Sequence, residues 1–101
     1  MSKERQYPRT RTPDGWVKIE RSVSHEGHQI VRLSDISKAG LAFETLTVSP
    51  YKIGEKILIV ETPTYDMRNR WSVVRHISPR KNDENVDIHV VGVEFVGTEL
   101  L

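Results

Sequence analysis

The sequence contains no cysteine. That absence excludes disulfide scaffolds, thiolate zinc sites and cysteine nucleophiles, and it fits a reducing compartment. Long apolar runs are also missing. The longest wholly aliphatic stretch is Ile57-Leu58-Ile59-Val60, whereas a helix that crosses a bilayer needs about 20 such residues. The amino terminus, Met1-Ser2-Lys3-Glu4-Arg5-Gln6, is charged and leads into no apolar segment. No secretory signal is therefore expected, and the expected location is the cytoplasm. Neither sign of charge dominates: 15 basic and 14 acidic side chains leave a formal charge of +1. A general polyanion binder usually carries a strong basic excess. Aromatic residues are few. Tyr7, Trp16, Phe43, Tyr51, Tyr65, Trp71 and Phe95 are scattered rather than interleaved with lysine or arginine, unlike the stacking groove of a single-strand binder. Trp16, Phe43, Trp71 and Phe95 are expected in the core.

What the chain does have is 101 residues, enough for one small domain and too few for two separate cores. Its basic charge is unevenly placed. Residues 1–11 hold Lys3, Arg5, Arg9 and Arg11 against Glu4 alone, while residues 12–101 hold 11 basic and 13 acidic side chains. Such a terminal run is either a solvated tail or an arm that closes over an anion, and charge alone does not separate the two.

The hydropathy period beyond residue 15 is that of strands. Val17 and Ile19, with Arg21 continuing the period, alternate with Lys18, Glu20 and Ser22. His25-Glu26-Gly27-His28 reads as a turn, followed by strands over 29–36 and 40–46. A loop marked by Ser49-Pro50 and Ile53-Gly54 leads to a β-branched strand over 55–61, closed by Pro63-Thr64-Tyr65-Asp66. A fifth strand is predicted over 69–77, an exposed hairpin tip over 78–85 and a sixth strand over 86–96. Six short strands without a helical stripe indicate an all-β domain, a small antiparallel barrel or sandwich. Residues 98–101 are too short to sustain a helix alone.

Few of the residue patterns are catalytic. The sequence has no Gly-x-Ser-x-Gly and no phosphate-binding glycine loop. His25 and His28 share a hydrophilic turn, but a closed metal site needs four ligands. His76 and His89 fall on predicted strands as solvent-facing or hydrogen-bonded imidazoles. Neither an enzyme nor a metal site is expected.

Two short motifs remain. Arg5-Gln6-Tyr7-Pro8-Arg9 is an Arg-x-x-x-Arg, and Asp35-Ile36-Ser37-Lys38-Ala39-Gly40 is an Asp-x-Ser-x-x-Gly. Each alone reads as ordinary surface charge or turn chemistry. Together, in this order and ahead of a barrel of this size, they resemble the PilZ family of cyclic diguanylate (cyclic di-GMP) receptors. Leu33-Ser34-Asp35-Ile36-Ser37-Lys38-Ala39-Gly40-Leu41 looks like that family's signature strand-turn-strand. Val91-Gly92-Val93-Glu94-Phe95-Val96-Gly97 looks like its terminal Gly-Val-x-Phe strand.

The resemblance implies a six-stranded antiparallel β-barrel over residues 15–101, preceded by a flexible, arginine-rich arm over residues 1–14, with little or no carboxy-terminal helix. It also implies a cyclic di-GMP site made of Arg5, Arg9, Asp35, Ser37 and Gly40, with Arg11 open as an extra phosphate contact. The chemistry agrees. An arginine fork donates to guanine O6 and N7 together, and a carboxylate accepts from the guanine N1–H and N2–H. Ser37 would add a hydrogen bond, and Gly40 would let a base approach the backbone.

Glu4 stands before Arg5, leaving no further arginine for a second, stacked ligand, so one ligand per site is expected. The implied protein is a stand-alone monomeric receptor with no cofactor, whose arm orders on binding. It would signal to an unidentified effector protein in motility, surface or biofilm control. Two alternatives stay open: a nucleotide-independent interaction module of the same fold, and a nucleic-acid-binding barrel.

Overall fold

The computed structural model describes residues 10–11, 15–22, 27–47, 50–62 and 68–96. Seven strands make up its regular structure: β1 (Thr10–Arg11), β2 (Trp16–Arg21), β3 (His28–Ile36), β4 (Gly40–Leu46), β5 (Lys56–Glu61), β6 (Arg68–Lys81) and β7 (Asp87–Phe95). No helix occurs among the described residues. The strands run in the order β3-β2-β5-β6-β7-β4, and β4 pairs again with β3, so six antiparallel strands close into a barrel. Closure removes the sheet edges that an open sheet would expose.

The strands form where inward positions are apolar at every second residue. Val17 and Ile19 on β2, Ile57 and Ile59 on β5, Phe43 on β4, Val74 on β6 and Val91 on β7 are all fully buried in one cluster. Ser72 shares the interior, where its hydroxyl donates to the Ile57 carbonyl over 2.8 Å and so leaves no orphan polar atom. Phe43 meets Tyr51 edge to face, with centroids 5.5 Å apart.

Arg21 continues the inward period of β2, and its partners account for that position. Its Nε and Nη2 donate to the two oxygens of Glu55 at 2.6 and 3.0 Å, and Nη2 also reaches the Pro50 carbonyl. The guanidinium lies 3.8 Å from the Tyr51 ring centroid. A bidentate pair with a ring beneath it is the arrangement arginine forms best.

Several sequence expectations shift. Phe43 is the central aromatic, but Trp16 and Trp71 are only half-buried. Phe95 is also half-buried, packed against the core with Arg70 over its outer face. Tyr51, on a loop, is buried instead, because Arg21 and Phe43 enclose its ring. The tip predicted over 78–85 is shorter: β6 continues to Lys81, opposite Asp87. Pro79, Arg80 and Lys81 are all exposed, so composition there imitates a loop.

Asn82 closes the tip, its side-chain oxygen accepting from Glu84 N and Val86 N. Lys81 pairs with Asp87 across the ribbon at 2.6 Å and holds that carboxyl below its ordinary range. The expected arm, residues 1–14, contains β1, whose Thr10 and Arg11 pair with Ile36 and Asp35 of β3; residues 1–9 and 12–14 lie outside the described residues.

Phe43→Ala should lower unfolding free energy by about 3–5 kcal/mol, the usual cost of emptying a buried aromatic site. Urea denaturation followed by circular dichroism measures it, and a loss below about 1 kcal/mol would contradict this view of the core.

Candidate functional site

The site starts with a fault in the alternation of β3. Leu33 pairs with Phe43 but Asp35 pairs with Ala42, so Ser34 is an extra residue bulged out of the β3–β4 ladder. The extra residue reverses the facing of everything after it. Leu33 and Ile36, three apart, both point into the core, and Asp35 turns to the outer face, half-buried. Without the bulge Asp35 would share the inward side with Leu33.

The Asp-x-Ser-x-x-Gly segment then reverses the chain into β4. Ser37 N donates to the Gly40 carbonyl over 2.8 Å, and Ser37 Oγ accepts from Ala39 N over 3.3 Å. A longer contact of 3.4 Å runs from Ser37 Oγ to the Gly40 carbonyl. Ser37 therefore shapes the turn, the role short hydroxyl side chains often take. Phe95 N donates to the Ala39 carbonyl and ties the turn to β7.

Gly40 also has a structural cause. A Cβ there would run into the Val93 carbonyl oxygen and lie 3.1 Å from Glu94 Cα. The space that the missing side chain leaves is thus taken by the backbone of β7. That packing is a structural reason for glycine at this position.

A second bulge lies three strands away, on β6. Val74 pairs with Val93 but His76 pairs with Gly92, so Arg75 is the extra residue on β6. Ser72 and Val74 face inward, Ile77 packs on the core, and Arg75 and His76 are both exposed on the outer face. The pairing places Asp35, Ala42, Gly92 and His76 in one row across β3, β4, β7 and β6. Between them lies an open cleft of about 250 Å³, lined by Asp35, Ser37, Gly40, Arg75, His76 and Glu94 among others. Arg75 Nε donates to Glu94 Oε1 over 2.8 Å at its rim. Its lining carries two carboxylates and one guanidinium, an excess of acceptors.

Of the expected site residues, Asp35, Ser37 and Gly40 come together in this cleft. Arg5 and Arg9 lie outside the described residues, and only the backbone of Arg11 is described, opposite Asp35. Sequence reasoning missed Arg75, His76 and Glu94 as site residues. A signal was present: in Val74-Arg75-His76-Ile77, as in Leu33-Ser34-Asp35-Ile36, two polar residues separate apolar ones where strict alternation allows one. Among the described residues no group of three histidine, aspartate or glutamate side chains is placed to hold a metal. Among the described residues there is no helix long and apolar enough to cross a membrane.

Gly40→Ala should destabilise the barrel by about 1–3 kcal/mol, because the atom it meets is backbone and cannot rotate away. A thermal melt that does not move would contradict the close approach of β4 and β7.

No family model matches the sequence, and no curated protein matches it. Solved structures do. The PilZ domain of YcgR from Escherichia coli, with c-di-GMP, aligns with a TM-score of 0.68 at 17% identity, over 94% of this chain and 79% of that one. The MrkH–c-di-GMP complex of K. pneumonia aligns with a TM-score of 0.60 at 17% identity, over 99% of this chain and 48% of that one. The chain thus spans about half the length of MrkH. At these identities the shared property is the fold, and the closed six-stranded barrel described above is that of a PilZ-like domain.

Proposed function

We propose that the chain is a cyclic di-GMP receptor that binds its ligand in the Asp35 cleft and changes no bond in it. The observation that carries this reading is the register of β1. Thr10 lies opposite Ile36 and Arg11 opposite Asp35, so the chain that follows Arg9 joins the barrel beside the Asp-x-Ser-x-x-Gly turn. On this reading the Arg-x-x-x-Arg that precedes Thr10 would reach the Asp-x-Ser-x-x-Gly turn across 25 intervening residues of sequence. Both structural neighbours were solved with c-di-GMP, which supports the same ligand class here.

The two motifs supply complementary chemistry. Asp35 offers a carboxylate to the N1–H and N2–H donors of a guanine. The described cleft has more carboxylates than cations, so two phosphates need positive charge from elsewhere. Arg5 and Arg9 provide it, along with forks that fit guanine O6 and N7. A cleft of about 250 Å³ is also smaller than the roughly 300–1,000 Å³ of ordinary ligand pockets. An arm that closes over the ligand supplies the missing wall. The ordering of residues 1–9 on binding would then present a new surface to an effector protein. Ser37 acts here mainly through the turn, and Gly40 through the packing of β4 on β7.

Isothermal titration of cyclic di-GMP into the protein tests this, with GTP and a guanine-free cyclic dinucleotide as controls. Saturable binding to cyclic di-GMP alone is expected, at one ligand per chain. Arg9→Ala and Asp35→Ala should each weaken it by about tenfold to a hundredfold, the worth of a bidentate guanine contact. Ligand should also slow hydrogen exchange in residues 1–11. Absence of binding to folded protein would leave the nucleotide-independent interaction module. Salt-sensitive binding of oligonucleotides without cyclic di-GMP binding would point to the nucleic-acid barrel.

A further inference from the structure

We infer that His76 is a stacking platform for one base of the bound dinucleotide; the inference rests on the receptor reading above. The evidence is how the imidazole sits. A Cβ built on Gly92 would lie 2.6 Å from His76 Cε1, 2.9 Å from Nε2 and 3.1 Å from Nδ1. An atom meeting the ring edge-on at Cε1 would be much farther from both nitrogens than from the carbon. Near-equal distances mean that the ring lies with its face on Gly92. One face of the imidazole is therefore against the barrel, and the side chain is otherwise exposed toward the cleft.

Position and floor agree with that role. His76 stands at the opposite end of the row from Asp35, with Ala42 and Gly92 between them. The ring lies over Gly92, two strand spacings of about 4.8 Å from Asp35, roughly 10 Å along the surface. Ala42, between Asp35 and the ring, leaves the floor low, so a flat molecule can lie across it. A ligand with two bases can place one at the Asp35 carboxylate and the other on the imidazole. The platform exists because the Arg75 bulge turns His76 outward and because Gly92 has no side chain to lift it. Stacking is indifferent to which planar base is present, whereas Asp35 and the arginine forks read guanine.

The test is titration of cyclic di-GMP into the wild-type chain and into His76→Ala, His76→Gln, His76→Phe and Asp35→Ala, with thermal melts confirming that each is folded. His76→Ala and His76→Gln should bind about five- to a hundredfold more weakly, the range for loss of one base–aromatic stack. His76→Phe should stay within about threefold of wild type, since it keeps a flat ring. In proton NMR the His76 ring signals should move upfield on saturation. Wild-type-like binding by His76→Ala, or rescue by glutamine rather than phenylalanine, would overturn the platform. If Asp35→Ala abolishes binding in the same series, the receptor reading would survive that result. A wild-type chain that binds no cyclic di-GMP would overturn both.

Discussion

In a closed antiparallel barrel each strand is paired on both sides, so no strand can shift by one residue without turning its apolar set outward. The only local way to redirect a side chain is to add a residue and let the ladder absorb it. The bulges at Ser34 and Arg75 do this. Each preserves the core on both sides of the fault, with Leu33 and Ile36 inward around one and Val74 and Ile77 around the other. Each puts polar side chains on the outer face, and both sets arrive at the same cleft. The site thus depends on two irregularities held in place by regular pairing around them.

The strands between the two bulges supply the floor. β4 and β7 are joined along seven residue pairs, and the outward members of that stretch nearest the cleft are Gly40, Ala42 and Gly92. Gly40 is small because the Val93 carbonyl occupies the space, and Gly92 because the His76 ring does. A substitution at either position acts on the barrel or on a neighbouring ring before it acts on any ligand. Losses of binding in such variants therefore need a stability measurement beside them. The same holds for Ser37, whose hydroxyl is engaged by Ala39 N and the Gly40 carbonyl.

Much of this was legible in the sequence. Val17–Ile19 and Val91–Val93 alternate and Ile57-Leu58-Ile59-Val60 is an unbroken aliphatic run, and strand positions follow from these patterns to within a residue or two, except where β6 runs on to Lys81. The exception is physical: beyond Ser78 the β6 side chains Pro79, Arg80 and Lys81 are all exposed, so that end of the strand carries no apolar period, although Ile88 opposite Arg80 on β7 is buried. Tyr51 was hidden because it sits on a loop and is buried by Arg21, a residue whose charge argues for the surface until Glu55 is seen beside it. Half of the candidate site, Asp35, Ser37 and Gly40, was readable as a motif. The other half was not, because Arg75 and His76 belong to no motif and reach Asp35 only through pairing across β4 and β7.

On the receptor reading proposed above, the ligand lies in the trough running from Asp35 to His76. Titration of the nitrogen-15-labelled chain with cyclic di-GMP, followed by amide chemical shifts, tests that most directly. The largest changes should map to 35–42, 75–76 and 92–94, with little change along β2 and β5. Changes centred on β2 and β5, or none at saturating ligand, would contradict it.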